Sequence, residues 1–548
     1  MNLDAKLLHD DQYVEYPEDY KSCYNARGLY SSMQFVLRLR PDLHALLDQT
    51  TVGIHSAGTY DDETTQAFST YLHETMHWWQ HIGSISGLIL SFSHPAQAHI
   101  NSTLLLDYLK LTGPVKPITV YNELNAKEFK PNDEEFRTIN QILNNFHDIE
   151  FFKRLIINPN STEIIVSDRL FESVGHSFHI AYSSFINLLA STFDRNLDFL
   201  PKADEWPNEF RKLTANKVVG HYYGSPVYTS PIGLMDIFEG QARFTQMQYL
   251  YFGSGKTISW DDFERLGMLS GVYYSAFETF LTLTNSRRPK DIGSPLVALY
   301  LLSLDIAMNP SAGFPFDIED YASFAESVDP GKRFLAICNA IREINPELKE
   351  LVTNYTSAEY FEASDKITTA IGCQSPIQIA QQISEWAKSE NTIIDLMDEE
   401  SNFDFSDENQ PVRVLFSRFI RFQQDKLKNP AYFCWTGFYC AGKGVTETHL
   451  ELFQEHQSLF VDKADGDIYP RTFPDKDDAM VKKSFDLFYT WISTYDLCRQ
   501  WIVEYGDFTY DYFWLSSKHS TDELESWARH NFKQIFKVDP TDFSVLEK

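Results

Sequence analysis

Cysteine is scarce in this chain, with six residues among 548, and they are scattered rather than paired. That spacing excludes a disulfide framework or a zinc ribbon and predicts reduced, mostly buried thiols. Basic residues are also in deficit, 47 Lys and Arg against 77 Asp and Glu, for a net charge of −30. Such a balance opposes binding to a phosphate backbone or an anionic lipid surface, and leaves proteins or basic peptides as partners. Long hydrophobic runs are missing too. The longest, Gly83 to Phe92 and Leu296 to Met308, fall short of the roughly 20 residues that cross a bilayer, so no membrane span is predicted. Met1 to Tyr20 offers no basic region followed by an apolar run, which predicts no secretory leader and a cytoplasmic protein.

What is present is a large apolar complement, 43 % of residues, in a chain longer than one core usually holds. Within it, His73-Glu74-Thr75-Met76-His77 carries the most chemistry. Residues i and i+4 share a helix face, so the two imidazoles can converge on one tetrahedral ion. Glu74 is rotated toward the position of a metal-bound water, whose proton it can take and later return to a leaving group.

The surroundings suit a helix. Asp61 and Asp62 can cap it, no Gly or Pro interrupts Thr64 to Ile82, and Gly83 ends it. At 100° per residue, Phe68, Tyr71, Leu72, Thr75, Met76, Trp78, Trp79 and Ile82 form an apolar face. Gln66, Ser69, Thr70, His73, His77 and Gln80 form the opposite one. A solvated polar face with two incidental histidines is the plainer reading of the same pattern.

A third ligand is required. His81 lies roughly 12 Å along the helix from His73 at 1.5 Å per residue, too far to share an ion. The metzincin spacing fails because Gln80 and Gly83 stand where its glycine and histidine belong. Glu239, in Asp236-Ile237-Phe238-Glu239-Gly240-Gln241-Ala242-Arg243, is the best-placed carboxylate. Pro231 suits the first turn of a helix reaching about Tyr249, with Met235, Phe238, Ala242 and Tyr249 as its apolar positions. Gly240 allows close approach to a neighbour. A simpler reading pairs Glu239 with Arg243 on a helix surface. Glu172, near His176 and His179, is the reserve ligand.

With these two motifs the chain resembles the gluzincins, zinc peptidases that combine a His-Glu-x-x-His helix with a glutamate ligand on a later helix. Glu239 and Ala242 match the Glu-x-x-Ala form of that second motif. The interval from His77 to Glu239 is longer than in compact members. The resemblance implies one Zn²⁺ held by His73, His77 and Glu239, with Glu74 as general base and then acid.

An oxyanion-stabilising group is expected from a remote segment, and His221 and Tyr223 in the run His221 to Tyr228 are the candidates. His176 and His179 could support the site or simply pack. Two look-alikes are set aside: Gly253 to Thr257 ends like a phosphate loop, but Leu250 replaces its first glycine, and it follows a helix. Cys434 and Cys440 lack a partner pair.

The expected architecture is mainly α with a small β element, α+β, around a zincin-like core. Residues 1–255 would form the metallopeptidase domain, with a helical insertion at about 90–215. Residues 256–548 would form a helical C-terminal region able to dock a regulatory protein. Thr51 to Gly58 is expected as a short strand edging the cleft, and the acidic run Asp398 to Asp404 as an exposed loop. The leading functional expectation is zinc-dependent hydrolysis of an intracellular protein or peptide, by a regulatory, toxin or defence protease. The alternative is a non-catalytic helical interaction protein with a structural or vestigial zinc site, against which the presence of Glu74 argues.

Overall fold

The structure is a computed structural model and describes all residues except 9–25, 49–59, 126–132, 442–444, 465, 474–475, 517 and 548. The strand expected at Thr51 to Gly58 lies outside the described residues. The chain is mainly helical with a small mixed sheet. No helix among the described residues is long and apolar enough to cross a membrane.

The sheet opens with β1 (Gly28–Ser31) and β2 (Val36–Leu39), paired antiparallel. Its other half comes from far down the chain. β2 runs parallel to β3 (Phe460–Asp462), which turns back antiparallel onto β4 (Ile468–Pro470). The order β1-β2-β3-β4 leaves β1 at one edge among the described residues.

Helix α1 (Asp62–Gly83) packs against both β1 and β2. Asp61 caps it, accepting from Thr64 N–H at 2.7 Å. Ser84 then serves both ends of a corner. Its N–H closes α1 on the Gln80 carbonyl, and its hydroxyl accepts from Gly87 N–H to begin α2 (Ile85–Thr112). With α3 (Glu134–Ile157) and α4 (Val174–Phe193), α2 forms a mutually packed helical layer within the segment read from sequence as an insertion.

The second motif lies on α5 (Leu234–Gly253). It starts three residues after Pro231, which stands outside the helix. Gly233 is its N-cap, and the Asp236 carboxylate accepts the Gly233 N–H at 2.9 Å, so an acidic cap rather than proline sets the first turn. Met235, expected in the core, is exposed. Phe238, Ala242 and Tyr249 are buried.

Helix α5 packs antiparallel along α1 and also touches α6 (Val272–Leu283) and α7 (Pro295–Met308). Helix α7 is mostly apolar and enclosed, its one charged side chain, Asp305, being buried in an ion pair with Lys426. Phe244 of α5, Phe277 of α6 and Tyr300 of α7 pack with ring centroids 4.6 and 4.9 Å apart. Gly240 makes this closeness possible, because a Cβ there would lie 2.4 Å from the Tyr300 hydroxyl. Contacts therefore run across residue 255: α5 packs on α6 and α7, and β2 pairs with β3.

One charged run departs from expectation. Asp398 to Asp404 is not an exposed loop: its first part belongs to α8 (Asn391–Asn402). Glu400 is buried against α9 (Gln410–Lys428), paired with Arg418 at 3.1 Å and Arg421 at 2.8 Å. A composition rule cannot separate a solvated acid from one whose partners lie in another helix. Cys338, Cys434, Cys440 and Cys498 are buried free thiols, as expected.

Gly240→Val should push α5 away from Tyr300 and cost about 1 to 3 kcal/mol through overpacking. Urea denaturation measures this, and an unchanged midpoint would show that α5 does not need the close approach.

Candidate functional site

Along the α1–α5 interface a polar face meets a polar face. Ser69 accepts from Gln246 at 3.2 Å near one end. Gln80 reaches the Phe238 carbonyl and Gln241 near the other. Between them His73, His77 and Glu239 converge. Several of these buried polar groups satisfy one another across the seam.

The two histidine Nε2 atoms are 3.2 Å apart, and each lies 3.4 Å from Glu239 Oε2. The ligand atoms form a nearly equilateral triangle. Among the described residues this is the one group of three His, Cys, Asp or Glu side chains whose ligand atoms lie close enough to share an ion. Glu239 keeps 24 % of its side chain exposed, whereas the histidines keep 8 % and 12 %. The site is thus reached from the Glu239 side.

The electrostatics follow from burial. Desolvation pushes His73 down to about 4. It opposes charge on His77 as well, but the carboxylates of Glu239 and Glu74 outweigh it and lift that ring to about 9. Burial works against the Glu239 charge too. The two imidazoles overcome it and hold the carboxyl well below its usual range.

Glu74 is buried beside the triangle, and desolvation raises it to about 7. It rests on the edge strand: a Cβ at Gly28 would fall 2.5 Å from Glu74 Cγ and 2.7 Å from Oε1. Only glycine leaves that space to the carboxylate.

The other expected residues lie elsewhere. His221 is buried, with Nε2 3.1 Å from the Ala322 carbonyl and its ring against Gly175 and Phe210. Tyr223 is 71 % exposed. Glu172 lies 3.7 Å from His176, which also pairs with the buried Asp148 at 3.2 Å, so the reserve ligand belongs to that separate group. His179 stacks on Phe210 at 4.4 Å. His81 contacts Ser91 and, as its helical distance requires, stays off the triangle.

Three further side chains border the triangle, of which Tyr273 is absent from the sequence reading and Arg243 and Gln80 appear there without a role in the site. Tyr273, at the start of α6, packs its ring 6.1 Å from that of His73. Arg243 does not sit on a surface: it is buried, stacks over Tyr273 at 4.0 Å and donates to Gln246. Gln80 was visible on the polar face, three residues after His77. Tyr273 had no local signal, because its place depends on how α6 packs.

No protein-family model, curated protein or solved structure matches this chain. The site's function is therefore read from its chemistry.

A metal ion needs His77 neutral, yet that ring is charged at pH 7 in the metal-free protein. Metal uptake should release about one proton there, and affinity should rise up to about tenfold per pH unit until about pH 9. Calorimetric titration in buffers of different ionisation enthalpy reads the proton count. PH-independent affinity with no proton release would contradict this charge state.

Proposed function

We propose that this protein is a zinc-dependent peptidase in which His73, His77 and Glu239 hold the metal and Glu74 is general base, then general acid. The observation that carries the reading is the triangle of ligand atoms. Ligands about 2.0 to 2.1 Å from a tetrahedral zinc are separated by about 3.3 to 3.4 Å, and the separations here are 3.2, 3.4 and 3.4 Å. Two imidazoles and a carboxylate also suit zinc by ligand type. Glu239 Oε2 and His73 Nδ1 are buried without a hydrogen bond of their own among the described residues. A cation beside Glu239 Oε2 accounts for the first of these.

A bound zinc ion would polarise the scissile carbonyl and acidify a water to near neutrality. Glu74 accepts a proton from the attacking water as its oxygen bonds the carbonyl carbon. It then delivers that proton to the amine nitrogen as the C–N bond breaks. Strand β1, which lies against Glu74 and is an edge among the described residues, suits backbone pairing with an extended peptide. We assign the oxyanion-stabilising role to Tyr273, the aromatic beside His73 with a buried arginine over its ring.

The non-catalytic alternative would be favoured by a fourth protein ligand closing the site. Among the described residues no fourth His, Cys, Asp or Glu joins the three.

Metal content and cleavage of a broad peptide library should be measured together. Wild type should hold about one zinc and cut. Glu74→Gln should keep the zinc and lose about 10²- to 10⁴-fold in rate, while Glu239→Ala should lose the metal. Wild type without zinc, or Glu74→Gln cutting normally, would refute the assignment. Separately, Tyr273→Phe should lower kcat about 10²- to 10³-fold with zinc and KM nearly unchanged. Steady-state kinetics on any cleaved peptide decides this, and an unaltered kcat removes Tyr273 from the chemistry.

A further inference from the structure

The amide of Gln80 sits between His77 and the helix that carries Glu239, and its orientation follows from its partners. The Phe238 carbonyl can only accept, so the Gln80 atom 2.8 Å from it is the NH₂ group. The same NH₂ donates to Gln241 Oε1 at 2.9 Å, which occupies both of its protons. Gln80 Oε1 is then the atom 2.8 Å from His77 Nδ1. An amide oxygen can only accept, so His77 Nδ1 carries a proton. In the neutral ring that leaves the lone pair on Nε2, the atom facing His73 Nε2 and Glu239 Oε2.

We propose that Gln80 is the positioning residue of the metal cluster, fixing His77 as the Nδ1–H tautomer and tying α1 to α5 on either side of Glu239. This rests on the zinc reading above and adds to it which side chain holds the ligands ready. Phe238 immediately precedes Glu239 and Gln241 follows it by two, so a single amide sets both the histidine's ring and the local height of the carboxylate. His73 has no equivalent: its Nδ1 is buried without a hydrogen-bond partner among the described residues, and its ring is held by packing on Tyr273. The cluster's polar orientation therefore depends on Gln80 more than on any group bound to His73.

Two variants separate tautomer control from simple bracing. Gln80→Met removes both the acceptor for His77 and the donors to α5. Gln80→Glu keeps an acceptor for the Nδ1 proton but cannot donate to Phe238 or Gln241. Zinc affinity, by competition with a chelator, should fall about 10- to 100-fold in Gln80→Met and stay within a few-fold of wild type in Gln80→Glu. The thermal midpoint of the metal-free protein should fall in both. Nitrogen-15 spectra of zinc-loaded wild type should show a slowly exchanging proton on His77 Nδ1. Affinity in Gln80→Glu as poor as in Gln80→Met, or no such proton in wild type, would overturn the inference. Zinc bound equally by wild type and Gln80→Met would overturn it alone, whereas wild type binding no zinc would overturn the metal reading with it.

Discussion

Burying a polar helix face is the constraint on which this structure turns. Helix α1 has apolar residues on one side and Gln66, Ser69, His73, His77 and Gln80 on the other, and nearly all of both sides are out of water. An unpaired buried polar group costs about 1 to 3 kcal/mol, so α1 can occupy the centre only beside a partner whose polar groups fall at matching heights. Helix α5 supplies Gln246, Glu239 and Gln241, running antiparallel, and each meets a counterpart on α1. The metal-type triangle is one step in that seam, which makes it part of the packing rather than an ornament on a surface.

The seam in turn needs a rigid backing. Gly240 lets α5 press on Tyr300 of α7, and the Phe244, Phe277 and Tyr300 rings lock α5, α6 and α7 together. On the other side of α1, the sheet brings Gly28 against Glu74. The two glycines do related work: each removes a side chain so that a functional group can hold its place. Ligand atoms at 3.2 to 3.4 Å from one another tolerate little drift.

Much of the site was legible in the sequence because its signals are local. Asp61, the uninterrupted run and Gly83 mark α1 within a residue of its ends, and i, i+4 spacing brings His73 and His77 together. Glu239 was found by its helix context and the resemblance it supports, although the start of that helix was misplaced: Pro231 is a weaker signal here than the Gly233–Asp236 cap. What was not legible depends on tertiary packing. Periodicity distinguishes polar from apolar faces but not water from a polar neighbour, so the burial of Glu400 and Arg243 was hidden. His221 and Tyr223 lie in an aromatic-rich run, but one packs under Ala322 and the other faces solvent. Tyr273 stands beside His73 only because α6 packs on α5. Strand β1, Gly28–Ser31, which lies against Glu74, is a brief run of four residues with little alternation to detect.

On the proposed reading, three side chains on two helices are preorganised to hold one tetrahedral zinc. The most direct measurement is anomalous diffraction at the zinc edge from crystals grown with one equivalent of the metal. A single peak about 2.0 to 2.2 Å from His73 Nε2, His77 Nε2 and Glu239 Oε2 is the predicted result. No peak there, or the metal bound instead at His176 and Asp148, would contradict the account.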